Sequence, residues 1–197
     1  GLAYTGTSSY APIGINVSSG ITNCNITVTN NTVTNLTTSG TGTTMGMFLY
    51  SAMSGVTVSR NKVSNIKNTN TTGYGSAGIL LAPTINNAAT KVINNFVWDI
   101  ASYGFNDYGS ADTGNGIVVD GGGGIDIDFN TVALDTEETL TGGHRASCLL
   151  ITSNVTASGS INVRDNIFAN TQTIGNANSR LALSNLATTG SAVFGTI

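Results

Sequence analysis

The sequence predicts an all-β chain folded as a right-handed parallel β-helix, a solenoid of about five full coils of 30–36 residues with three short strands per coil. Three observations carry that prediction. A corner phrase recurs five times, a Gly-Ile-x-Val phrase precedes each copy, and the apolar residues alternate with period two rather than in a helical stripe. The corner phrase begins as Ile26-Thr-Val-Thr-Asn-Asn-Thr-Val-Thr-Asn-Leu36. It returns as Val56–Ile66, Thr90–Ile100, Ile125–Asp135 and Ile161–Thr171. The corner asparagines are Asn31, Asn61, Asn95, Asn130 and Asn166, at steps of 30, 34, 35 and 36 residues. A self-similar period in this range defines a stacked array in which each repeat buries its apolar face on its neighbours. The whole of 1–197 therefore reads as one β-helix domain, with the expectation that it is a segment of a longer protein.

Each coil reads as strands A, B and C. Strand A is Gly14-Ile-Asn-Val17, then Gly46-Met-Phe-Leu49, Gly78-Ile-Leu-Leu81, Gly116-Ile-Val-Val119 and Ser147-Cys-Leu-Leu150, with a sixth copy at Arg180-Leu-Ala-Leu183. Strand B is the run before the corner asparagine, and strand C the run after it. Stacking in register places Ile26, Val56, Thr90, Ile125 and Ile161 in one inward row. Val28, Val58, Val92, Ile127 and Val163 form the next, and Val33, Val63, Val97, Val132 and Phe168 line strand C. Strand A adds Ile15, Met47, Ile79, Ile117 and Cys148, beside Val17, Leu49, Leu81, Val119 and Leu150. The corner asparagines are expected to stack as an amide ladder, each bonding the next along the axis.

Composition narrows the partners. Hydrophobic residues make up 40% of the chain and charged residues only 9%, so the polar surface is written in Thr, Ser, Asn and Gly. The net charge is -3, with no basic run, which argues against nucleic acid as a partner. No apolar run approaches the roughly 18 residues of a membrane span. Gly1-Leu-Ala-Tyr4 carries no basic leader, so a removed signal or a segment cut from a longer chain is expected. Cys24 and Cys148 fall roughly four coils apart, nearly 20 Å at about 4.8 Å per coil, against the roughly 7 Å that a disulfide spans. Both are expected to be free thiols.

The x-Ile-x-Val-x-x-Asn-x-Val-x-x-Ile sentence resembles the β-helix repeat of the pectin-lyase-like superfamily. It is also similar to repeat regions of large secreted or cell-surface bacterial proteins. The resemblance covers about residues 12–185. It implies the fold, and an extracellular or cell-surface location. It implies no particular chemistry: the Gly-His-Gly phrase of the superfamily's polygalacturonases is not matched by Gly143-His-Arg145.

Four groups of residues are candidates for function. Asp120, Asp126 and Asp128 surround Gly121–Gly124 and resemble half of a glycine-rich calcium-binding turn. The competing reading pairs Asp126 with Lys91 and Asp128 with Arg164 across neighbouring coils; otherwise no cofactor is expected. The longest connection, 101–115, carries Tyr103, Phe105, Asp107, Tyr108 and Asp112, and the equivalent connection one coil later carries Glu137, Glu138, His144 and Arg145. Such a mixture of rings and carboxylates suits a glycan-binding cleft. Phe96 and Trp98 face outward on strand C and are a candidate sugar platform. Phe48, Leu80, Val118 and Leu149 are read as an outward apolar row on strand A, which predicts a covered face. The expected function is a non-catalytic structural or adhesive module of a secreted or surface protein, possible glycan binding included, with neighbouring domains or chains capping the ends. The alternative is a polysaccharide hydrolase or lyase.

Overall fold

A computed structural model describes residues 11–71, 74–103, 113–138, 146–173 and 180–187. The strands follow one another in triplets. The first coil is β1 (Ile13–Ser18), β2 (Thr27–Thr29) and β3 (Thr32–Thr38); the second is β4 (Thr44–Ser51), β5 (Thr57–Ser59) and β6 (Lys62–Asn68). The third is β7 (Ser76–Pro83), β8 (Thr90–Ile93) and β9 (Phe96–Ser102); the fourth is β10 (Gly114–Val119), β11 (Ile125–Asp128) and β12 (Thr131–Leu134). The fifth is β13 (Ala146–Ile151), β14 (Ile161–Arg164) and β15 (Ile167–Asn170), after which β16 (Arg180–Asn185) opens a sixth.

Every first strand pairs with the first strand of the next coil, and likewise for the second and third. The result is one six-stranded and two five-stranded parallel sheets, A, B and C. The solenoid makes about four turns, slightly fewer than the five coils expected, because five stacked layers are separated by four steps. The inward rows of B and C stand as the sequence places them, with Val58, Val63, Val92, Val97, Ile127 and Val132 fully buried.

Sheet A differs from the sequence reading in its last two strands. Ile117 pairs with Leu149, and Leu149 in turn with Leu183, so the repeat phrase there is Cys148-Leu-Leu-Ile151, followed by Ala182-Leu-Ser-Asn185. Cys148 thus sits in the column of Gly14, Gly46, Gly78 and Gly116, and Leu149 faces the core rather than the outside. The column favours glycine because of close approach: a Cβ on Gly116 would lie 2.2 Å from Val132 Cγ1. The outward row is therefore Phe48, Leu80, Val118 and Leu150. It is covered, with Val118 fully buried, and Ala11, Ile13 and Leu186 pack against it.

The corners carry the ladder. Asn31 Nδ2 donates to Asn61 Oδ1 at 3.1 Å, Asn61 to Asn95 at 2.9 Å, Asn95 to Asn130 at 3.0 Å and Asn130 to Asn166 at 3.0 Å. Each receiving Oδ1 also accepts the backbone N–H of the same upstream asparagine, at 2.8–3.0 Å. The second Nδ2 hydrogen closes a carbonyl of the preceding coil, as from Asn95 to Val58 at 3.0 Å and from Asn130 to Val92 at 2.8 Å. The residue before each ladder asparagine is left-handed: Asn30, Arg60, Asn94, Phe129 and Asp165 have φ of 57, 54, 56, 57 and 52°. A second left-handed column, Asn35, Asn65 and Asp99, kinks β3, β6 and β9. That kink lets Val33 and Leu36, three residues apart, both point inward.

Both cysteines are free, and burial pushes the Cys148 thiol up to about 12. Replacing Asn130 by Leu should cost about 3 kcal/mol or more, because Asn95 N–H and Val92 C=O are stranded together, each at about 1–3 kcal/mol. Asn31→Leu, at the end of the ladder, should cost clearly less; urea midpoints of the two variants test the difference.

Candidate functional site

Of the residues expected to form a cleft beside the long connections, Phe105, Asp107, Tyr108, Asp112, His144 and Arg145 lie outside the described residues. Tyr103 follows β9, is half-buried, and its N–H donates to Asn68 C=O at 3.0 Å. The two glutamates do not converge. Glu137 reaches the next coil, where Thr173 N–H and Oγ1 donate to its Oε1 at 2.6 and 2.7 Å. Glu138 reaches the preceding coil and accepts from Ser102 N–H at 3.3 Å and Gly114 N–H at 2.9 Å. It thereby joins the two ends of the 103–113 connection. Gly114 leaves the room, since a Cβ there would lie 2.4 Å from Glu138 Oε1. Burial raises the Glu138 carboxyl to about 7, against the two backbone donors that pull it down.

The three aspartates proposed for calcium are each engaged elsewhere. Asp120 accepts from Thr152 Oγ1 at 2.7 Å and Asn154 Nδ2 at 3.0 Å. Asp128 and Arg164 form the expected cross-coil pair, with Nε–Oδ1 at 3.2 Å and Nη2–Oδ2 at 3.0 Å. Asp126 lies in register with Lys91 but is bonded by Asn162 Nδ2 at 2.8 Å and makes no ion pair with Lys91. Among the described residues no group of three or more His, Cys, Asp or Glu could hold a metal ion.

What the register does assemble is an apolar shelf on the outer face of sheet C. Phe96 and Trp98 lie two apart on β9 and stack, with ring centroids 4.4 Å apart and planes at 25°. Stacking takes one face of each ring, so the pair stands as a ridge rather than lying as a flat platform. Beside the ridge, Thr131 and Ala133 of β12 make a low floor, bounded by Ile167 and Ala169 of β15. Four large hydrophobic residues are exposed among those described, and three of them, Phe96 (40%), Phe129 (55%) and Ile167 (64%), fall at this corner in three successive coils. At the kink in the middle of β9, Lys67 Nζ lies 2.8 Å from Asp99 Oδ1, which Thr136 Oγ1 also reaches.

Phe129 and Ile167 were not singled out by the sequence. The available signal was positional: Phe129 precedes a ladder asparagine, in a column otherwise filled by Asn, Arg and Asp. A left-handed bulky residue costs roughly 1–2 kcal/mol. Such an outlier points from structure toward function.

Among the described residues no helix is long and apolar enough to cross a membrane. Comparison with known protein families, characterised proteins and solved structures finds no match for this chain.

Phe129→Asn should raise the thermal midpoint, gaining about 0.5–1 kcal/mol by relieving the left-handed backbone. A second expectation concerns pH. Folded Glu138 holds its proton to about 7, whereas its ordinary value is 4.5, so the unfolded chain binds fewer protons between these values. Stability is therefore full below about 4.5 and falls by about 3 kcal/mol as pH rises through 7. Glu138→Gln should flatten that slope in denaturant titrations at pH 4.5 and 8.

Proposed function

We propose that this chain is a non-catalytic structural and adhesive β-helical module of a secreted or surface protein, of the pectin-lyase-like type, with the sheet C shelf as its contact surface. The observation that carries the reading is the concentration of exposed apolar side chains on one corner of a regular, hydrogen-bonded solenoid. A stack of parallel coils is a stiff spacer, and an apolar shelf on it is a place to bind. The low charge content and the Thr-, Asn- and Ser-rich surface support an extracellular setting. A glycan would meet the free ring faces of Phe96 and Trp98. Capping by a neighbouring domain or chain is supported by the first coil, where a hollow of about 420 Å³ opens between Gly14, Ile15, Val33 and Leu36. There no described residue donates to Asn31 Oδ1, unlike the ladder oxygens that follow it.

One observation favours polysaccharide cleavage instead. Glu138 has a carboxyl at about 7, the range of a general acid. Glycoside hydrolysis needs a second carboxyl about 5–9 Å away across the bond, and among the described residues the neighbouring Glu137 turns to the opposite coil. Incubation with neutral and acidic polysaccharides should therefore release neither new reducing ends nor unsaturated products. Turnover that disappears in Glu138→Gln would replace the adhesive reading by the enzymatic one.

A further inference from the structure

We infer that the shelf on sheet C is the contact surface of a homodimer, in which two copies of this chain meet face to face with antiparallel solenoid axes. The inference rests on the shelf being the contact surface and names what occupies it. Along this face the third coil is large, with Phe96 and Trp98, and the fourth is small, with Thr131 and Ala133. The second coil presents Lys62 and Ser64, and the fifth presents Ile167 and Ala169. The left-handed corner column beside the face carries Arg60 in the second coil and Asp165 in the fifth.

A two-fold axis can lie in this face along the strands, midway between the third and fourth coils. It reverses the order of the coils and preserves position along each strand. Phe96 then faces the partner copy's small fourth coil, and so does Trp98. Each copy's ridge fills the other's floor, and this happens twice. The second coil faces the fifth, so Arg60 meets Asp165 and the stem of Lys62 lies over Ile167. Arg60 and Asp165 are both exposed, and neither has an ion-pair partner among the described residues. The other face-to-face two-fold, along the solenoid axis, would set each ridge against its own copy. A saccharide fits the floor less well, because Thr131, Ala133 and Ala169 offer it one hydroxyl.

Four coils at about 4.8 Å and strands averaging between five and six residues at about 3.3 Å give roughly 350 Å² per copy. That is about half of the roughly 800 Å² per partner of a standard interface. The dimer is therefore weak in free solution.

The chain has a single tryptophan, Trp98, so association reports on itself. Sedimentation equilibrium from roughly 1 µM to 1 mM should show the mass rising toward twice that of the monomer, with Trp98 emission shifting to the blue on the same curve. Arg60→Asp and Asp165→Arg should each weaken association about tenfold or more, and the double variant should restore it. The backbone tolerates the exchange, since Arg60 and Asp165 already share the left-handed conformation. Unchanged circular dichroism verifies folding of each variant. The proposal is overturned by a monomer at every concentration, by a dimer that ignores the charge exchange, or by a soluble polysaccharide that shifts Trp98 emission while the chain stays monomeric. None of these results bears on turnover, so a failed dimer and a failed non-catalytic reading are told apart.

Discussion

The corner asparagine ladder is the interaction on which the rest of this solenoid depends. Between strands B and C the chain must turn, and a turn interrupts the backbone bonding that joins one coil to the next. The amide group replaces what is lost. Its oxygen accepts two N–H groups of the upstream coil, and its nitrogen donates onward to the downstream oxygen and back to a carbonyl. Donors and acceptors are thus matched where Asn61, Asn95 and Asn130 are almost wholly buried. An apolar side chain of similar size would fill the space and strand both partners.

Because the ladder fixes the register, much of the fold is legible from spacing alone. The rows Val28–Val163 and Val33–Phe168 need only the asparagine positions and a period of two. The Asp128–Arg164 pair is legible for the same reason. Sheet A has no such marker. Its phrase is held by a small-residue column, and in the fifth coil Cys148 stands in that column where Ser147 is the smaller candidate. The kinks at Asn35, Asn65 and Asp99 were hidden too, because a left-handed asparagine inside a Thr-rich strand looks like any other polar outward residue.

The candidate site was legible in part, for a physical reason. Phe96 and Trp98 stand out because large rings are rare in this chain and alternate with the inward Val97. Their mutual stacking depends on rotamers, which no pattern encodes. The divergence of Glu137 and Glu138 is likewise a matter of which coil each side chain reaches. Function in this architecture resides in departures from the repeat. The third to fifth coils keep the ladder while placing Phe96, Trp98, Phe129 and Ile167 at one outer corner, so a contact surface costs the scaffold little beyond the strain at Phe129.

The most direct test of the account is exchange of the asparagine side-chain amide protons, followed residue by residue by NMR. The ladder requires the Nδ2 protons of Asn61, Asn95 and Asn130 to exchange far more slowly than those of Asn31, which lies half-buried in the first coil. Exchange of all four at the rate of free asparagine would contradict it.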